Sequence, residues 1–221
     1  MTMPGDHSLP LVLIGAGGHA RVLHALGLAL GRKFTGVCDP VLAQRGDLFW
    51  NDIPVLESEA ALTALRRDGV MLVNGIGKVV GSDTRQQVYD RFCKLGFRFA
   101  SLIHPAAWVA PCARISDGVQ IMAGAIVQPG CVIGEDSIVN TRASVDHDCV
   151  IGDHVHIAPG ATLCGTVEVS NGAFIGAGSV VIQNRRIGTD AVVAAGATVA
   201  RDLLPNYILM PGMRARPINQ E

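Results

Sequence analysis

The sequence predicts two units in tandem, an α/β half-Rossmann domain over residues 1–102 followed by a parallel β-helix of hexapeptide repeats over 103–221, and three observations carry that reading. Every sixth residue from Ile103 to Val199 is Ile, Val or Leu. The position four residues after each aliphatic is usually small, as at Ala107, Ala113, Ala125, Cys131, Ser137, Ala143, Cys149, Ala161, Ala173, Ser179, Ala191 and Ala197. Near the other end, the apolar run Leu11 to Ile14 breaks into Gly15-Ala16-Gly17-Gly18-His19-Ala20 and a helical pattern follows. A helix of period about 3.6 cannot hold one face at a spacing of six, and a plain strand of period two needs no such spacing. A coil of short strands can: with three rungs to a coil, the large aliphatic fills the interior and the small residue takes a second inward place.

Taken in order, Leu11 to Ile14 reads as a strand, the glycines as its turn and the segment through about Leu30 as a helix. A strand, a glycine turn and a helix N-terminus form an anion site, because unpaired N–H groups and the helix dipole point at the turn. Phe34 to Cys38 reads as a second strand closing on Asp39, placed about 22 residues beyond Gly17 as the acidic residue of a Rossmann unit is. One further strand is expected at Val70 to Asn74 and a helix around Asp83 to Leu95. These elements are too few for a dinucleotide, which needs two mononucleotide halves and about six strands. Half a Rossmann fold suits the nucleotide part of a nucleotide-linked sugar. The repeat then runs for five to six coils, roughly 27 Å at the spacing of about 4.8 Å between strands. Arg185 places a long cation where a small residue belongs, so the corner from Gln183 to Arg186 should bulge or end a face and send its guanidinium to solvent or an anion.

Composition narrows the function. The 221 residues are 49% hydrophobic, enough for two modest cores. A net charge of −1 and 5% aromatic content give neither the basic footprint nor the stacking groups of a nucleic-acid binder. No long apolar run suggests a membrane span, and the polar stretch Met1 to Ser8 is unlike a signal peptide, so a cytoplasmic location is expected. Six cysteines show no CxxC pair; Cys131 and Cys149, one coil apart at the inward small position, read as buried reduced thiols.

One corner stands out chemically. In Asn140-Thr141-Arg142-Ala143-Ser144-Val145-Asp146-His147-Asp148-Cys149, His147 falls on the turn of its rung and should project from the prism. Asp146 or Asp148 could hold one ring nitrogen and leave the other as a general base. Eighteen residues on, at the same corner one coil further, stands Gly165. Its missing side chain leaves room for the imidazole, and its N–H would lie about one strand spacing away as an oxyanion donor. His156 lies half a coil from His147, so the two meet only across subunits, as in the clefts of a threefold assembly. A trimer is also expected because so few charges (17% of the chain) cover the small and apolar faces.

The residues Ile14-Gly15-Ala16-Gly17-Gly18-His19, Asp39, His104-Pro105, Val139-Asn140-Thr141, Asp146-His147-Asp148-Cys149-Val150-Ile151-Gly152-Asp153, His156 and Gly160 to Gly165 together resemble the hexapeptide acyltransferases that modify sugars. The resemblance is to bacterial nucleotide-aminosugar N-acetyltransferases and sialic acid O-acetyltransferases of the NeuD type, and it covers nearly the full length. It implies a left-handed β-helix, a homotrimer, acetyl-CoA bound between neighbouring prisms and a sugar nucleotide on the N-terminal domain. His147 matches the family's general base, with an acidic neighbour orienting it. The family often has Glu where Asp148 stands. His156 matches a residue at the thioester end of acetyl-CoA, while Asn140 and His19 match positions linked to the substrate pocket. The tail segment Pro211-Gly212-Met213-Arg214-Ala215-Arg216 departs from the usual Gly-x-Pro-Ala-Arg at Arg214.

The expected function is therefore acetyl transfer from acetyl-CoA to the amino group of a UDP- or GDP-linked 4-amino-sugar. His147, with Asp146 and Asp148, would act as base, His156 and Gly165 on the acetyl-CoA side, and Gly15, Gly17, Gly18, His19, Asp39 and Asn140 on the sugar nucleotide. No metal is expected. The alternative acceptor is the hydroxyl of a sialic acid. Two more distant readings are a zinc enzyme like the γ-class carbonic anhydrases, for which His147, His154 and His156 would be the ligands, and a nucleotide-binding scaffold without catalysis.

Overall fold

The structure, a computed structural model, describes residues 9–65 and 68–218. The chain divides into two compact units, Met1–Leu102 and Ile103–Glu221.

In the first unit, β1 (Leu11–Ile14) is buried along its whole length, as a strand covered on both faces of a parallel sheet requires. The helix α1 (Gly18–Ala29) follows and turns Ala20, Leu23, Leu26 and Gly27 inward, a face of helical spacing. The chain then forms β2 (Phe34–Cys38) and α2 (Pro40–Arg45), which ends at Gly46 in the left-handed region with φ 73°. A hairpin of β3 (Phe49–Trp50) and β4 (Ile53–Pro54) turns through Asn51 and Asp52, both at positive φ. This suits the right-handed twist of paired strands. The helix α3 (Glu59–Thr63) precedes β5 (Met71–Asn74) and α4 (Thr84–Lys94). Sequence reasoning missed α2, α3 and the hairpin, because elements of two to six residues are too short to show a period.

The sheet order is β2-β1-β5, all parallel. From β1 the chain moves to one side for β2 and later to the other for β5, so the C-terminal end of β1 is a topological switch point, where open α/β sheets bind ligands. Tyr89 and Phe99 stack at 4.5 Å between ring centroids in the core beneath it.

The second unit is a left-handed parallel β-helix, with two-residue strands pairing in register eighteen residues apart, as Ile126, Ser144, Thr162, Val180 and Thr198 do. Its first face carries Gln120–Ile121, Ile138–Val139, His156–Ile157, Phe174–Ile175, Val192–Val193 and Tyr207–Leu209. The second runs from Trp108–Val109 to Thr198–Val199, and the third from Arg114–Ile115 to Arg186–Ile187. From Ile121 to Val199 each sixth-position aliphatic is at most 2% exposed, and the small residues of the repeat fill the rest of the interior.

At Arg185 the ladder does not bulge: Glu168 and Val169 pair regularly with Arg186 and Ile187, and that strand closes the third face. The Arg185 guanidinium finds an anion, Asp202, at 3.5 Å. The tail continues the first face: Tyr207–Leu209 adds a parallel strand beside Val192–Val193, and Arg216–Pro217 folds back antiparallel upon it. Arg214 falls between these two strands, after a turn in which Met213 N–H meets Met210 O at 3.1 Å.

Candidate active site

His147 and Asp148 form the turn between the second and third faces. Asp148 has φ 57°, a left-handed conformation that Asp adopts more readily than most side chains. That turn brings its Oδ2 to 2.9 Å from His147 Nδ1. Asp146 has a different task, its Oδ1 accepting the backbone N–H of His147 at 2.7 Å. Of the two carboxylates the sequence left open, Asp148 therefore holds the ring. With Nδ1–H donated to Asp148, Nε2 is the nitrogen that can accept a proton. The Asp148 hydrogen bond raises the His147 pKa above its usual value, and the charge of Asp146 adds to this, while a smaller loss of solvation acts the other way.

Glycines flank the pair on both sides. A Cβ on Gly165 would sit 2.5 Å from His147 Nε2, so the ring occupies the space this glycine leaves. Gly165 is not in the left-handed region, so the reason for glycine there is room. On the coil before, a Cβ on Gly130 would fall 2.2 Å from Asp148 Oδ1. Gly130 was not singled out from the sequence, although subtracting eighteen from Asp148 leads to it as adding eighteen to His147 leads to Gly165. The neighbouring turn is tied down as well, with Thr166 N–H on His147 O at 2.9 Å and the Thr166 hydroxyl bonded to Asn184 Oδ1.

His156 begins a strand of the first face, buried, with its ring edge-on to Phe174 at 5.0 Å. Its Nε2 lies 3.1 Å from Asn140 Nδ2. Asn140, expected on the sugar nucleotide, is thus grouped with the residue expected on acetyl-CoA and apart from His147. His154, only two residues before His156, is not on the same strand. It occupies a turn at φ 56°, and its Nδ1 lies 3.2 Å from buried Asp136. The three histidines thus have three different partners, and no group of three or more His, Cys, Asp or Glu able to hold a metal occurs among the described residues.

The remaining predicted residues lie in the first unit, around a cleft of about 890 Å³ at the switch point. Gly15, Gly17, Gly18, His19 and Asp39 line it, together with Glu57, Glu59, Gly77, Thr84 and Arg91. Gly17 caps α1 without a side-chain hydrogen bond, and the first turn of α1 contains no acidic residue. The positive end of the α1 dipole at the cleft is therefore not offset by an acid of its own first turn. Both oxygens of Asp39 are engaged by the backbone: Oδ2 accepts Ala16 N–H at 2.9 Å, and Oδ1 accepts Val41 and Leu42 N–H at 2.9 and 3.2 Å. It thus clamps the glycine loop onto the start of α2. A second glycine loop backs the first, since a Cβ on Gly75 would fall 2.7 Å from Ile14 O. Buried Arg85 braces that loop, its Nη1 donating to Asn74 O at 3.1 Å. Gly75 and Arg85 went unnoticed in the sequence, and no repeat or motif there marks them.

Residues 130–165 match the bacterial transferase hexapeptide family (six repeats). Among solved structures, the acetyltransferase domain of PglB from Neisseria gonorrhoeae FA1090 in complex with acetyl coenzyme A is 34% identical, with a TM-score of 0.83 over 96% of this chain and 100% of that one. PerB from Caulobacter crescentus, in complex with CoA and GDP-perosamine, is 35% identical, with a TM-score of 0.83 over 94% and 96% of the two chains. WeeI from Acinetobacter baumannii AYE, at 24% identity and a TM-score of 0.76, shares the fold. With a third of its residues shared over nearly the whole of both chains, and the six-residue repeat running through the match, this protein belongs to the hexapeptide-repeat sugar acyltransferases.

Proposed function

We propose that the protein transfers the acetyl group of acetyl-CoA to the amino group of a nucleotide-linked amino-sugar, with His147 as general base. The observation that carries this is the His147–Asp148 pair, 2.9 Å apart at an exposed corner, with Nε2 facing the space left by Gly165. The amine attacks the thioester carbonyl and His147 Nε2 takes its proton. The Gly165 N–H stabilises the oxyanion, and the CoA thiolate leaves as the carbonyl re-forms. No acyl-enzyme is required, since the acceptor reaches the thioester directly.

Relatives support the donor and the acceptor: one binds acetyl coenzyme A, and another holds CoA together with GDP-perosamine, an N-acetyltransferase substrate. Variants of the Caulobacter enzyme with one histidine replaced by Asn or by Ala also hold both ligands. The cleft of the first unit suits a nucleoside diphosphate, whose charge would meet the positive end of the α1 dipole. In a homotrimer, His156 and Asn140 of one subunit would face the acetyl-CoA held beside His147 of the next. A 4-amino-sugar linked to UDP or GDP is the acceptor we favour, and a cytoplasmic location fits both substrates.

The test is thiol release from acetyl-CoA with nucleotide 4-amino-sugars and, separately, with sialic acid. Turnover is expected with the amines. A preference for sialic acid would move the protein to the O-acetyltransferases. His147→Asn should keep both ligands bound and lower kcat by about 10²–10⁴-fold. Unchanged kcat would remove His147 from the mechanism.

A further inference from the structure

Inside the prism, beneath the corner that carries His147, two cysteine side chains make hydrogen bonds that the mechanism does not use. Cys131 Sγ lies 3.0 Å from Asp146 O, and Cys149 Sγ lies 3.2 Å from Cys164 O. Both cysteines are 0% exposed and free of disulfides. The relation is the same in each case: a side chain at the inward small position reaches the carbonyl fifteen residues ahead, on the next coil. Ser137 repeats it at another corner, its Oγ donating to Gly152 O at 2.8 Å. At the remaining corner the equivalent carbonyls take a backbone donor instead, Asn140 O from Ala143 N–H at 3.0 Å and Ala158 O from Ala161 N–H at 3.1 Å.

The two carbonyls held by thiols belong to the peptide units just before His147 and Gly165. In a trans peptide C=O and N–H point in opposite directions, so a carbonyl drawn toward the interior sends its partner N–H outward. The residue whose N–H is sent outward in the Cys164–Gly165 peptide stands against the His147 ring, Nε2 lying only 2.5 Å from the point where a Cβ on Gly165 would stand. A thiol buried in apolar surroundings stays protonated at neutral pH, so Cys149, 0% exposed, keeps the proton that a bond to the Cys164 carbonyl requires.

We propose that Cys149 is a positioning residue for the transfer reaction: its buried S–H holds the Cys164 carbonyl inward and thereby aims the Gly165 N–H at the reacting carbonyl oxygen beside His147. This rests on the reading of Gly165 as the oxyanion donor. The structure also explains why a polar side chain is used where this inward position elsewhere holds Ala143, Ala161 or Ala173.

The experiment compares Cys149→Ala, which removes the donor, with Cys149→Ser, which keeps one at a position where Ser137 already makes the same bond. Cys149→Val is a second variant without a donor, since Val155 and Val167 fill this position in other rungs. Full-length protein is assayed for kcat and for KM of acetyl-CoA and acceptor. The Gly165 amide is followed by NMR after labelling with ¹⁵N-glycine, its signal identified by its loss in Gly165→Ala. Loss of one neutral hydrogen bond predicts a fall in kcat of about five- to tenfold in the Ala and Val variants. KM values and the pH of the His147 limb should hold, the Gly165 amide should shift, and Cys149→Ser should restore both readouts. An unmoved amide, or a serine variant as slow as alanine, would overturn the positioning role. An amide that moves while kcat stays at the wild-type value would instead remove Gly165 as the oxyanion donor. His147→Asn reports on the base separately, so the two failures are distinguishable.

Discussion

Gly165→Ala puts one methyl group into the space that the His147 ring occupies, and the structure gives the size of the disturbance. The added Cβ would lie 2.5 Å from Nε2 and 2.6 Å from Cε1, whereas ordinary contact begins at 3.4 Å, so the ring must withdraw by about 0.9 Å. The backbone does not oppose the substitution, because Gly165 is outside the left-handed region and the atoms nearest the added methyl all belong to the ring. The imidazole can yield, its side chain being 58% exposed. Gly165 is itself buried, but the only atoms in the way belong to an exposed ring, so the loss of stability should stay near the low end of what overpacking costs, about 1 kcal/mol. Catalysis should suffer more: displacing a reacting group by about 1 Å costs on the order of 10²-fold. Steady-state thiol release at saturating acetyl-CoA and amino-sugar, alongside thermal unfolding, separates the two effects. A kcat within about threefold of wild type, in a variant whose own structure shows the ring displaced, would refute Nε2 as the base.

Asp148→Asn should move the acidic limb of the kcat/KM profile to lower pH. The hydrogen bond from Asp148 raises the His147 pKa, so the neutral base is lost as pH falls through that raised value. Without the carboxylate the loss begins lower, and an unmoved limb would mean that another group titrates. Asp39→Ala should destabilise the first unit by about 1–3 kcal/mol, since a helix cap and a charge-assisted hydrogen bond to the glycine loop go together. It should raise KM for the sugar nucleotide with little effect on acetyl-CoA; equal effects on both would separate the glycine loop from nucleotide binding. Light scattering should report three times the subunit mass, and a monomer of 23.2 kDa would end the shared-site reading of His156.

The repeat was legible because its physics is periodic. An interior three rungs around admits only certain volumes, so Ile121 through Val199 announce their burial at every sixth place. The first unit was legible only where its elements are long or carry glycine signals, as β1, α1 and β2 do. Elements of two to six residues, such as the hairpin at Phe49–Trp50 and Ile53–Pro54, leave no period to read. Side-chain directions were harder than positions. Asp39 falls where a ribose-binding carboxylate would, yet both its oxygens hold backbone N–H groups, and spacing alone cannot show where lone pairs are spent. Asn140 and His156 are sixteen residues apart, an interval that looks like no contact until strands pair at eighteen and both residues project from the same face.

That pairing interval is also what encodes the corner chemistry. His147 and Asp148 are adjacent in sequence, but their geometry is set from positions eighteen residues away in each direction: Gly165 receives the ring and Gly130 the carboxylate. A histidine followed by an aspartate is common on protein surfaces and says little. The same dipeptide between two glycines in coil register is a slot that fixes both side chains, because any larger residue at either place would collide with them at 2.2–2.5 Å. A β-helix can hold such a slot rigidly, since every residue of the turn is tied to coils above and below. His147 O takes Thr166 N–H on one side, and Asp148 N–H meets Pro129 O at 2.9 Å on the other. The His147 imidazole is thus oriented before any substrate arrives, so in the base role proposed for it the alignment would cost no ordering of a loop when the acceptor binds.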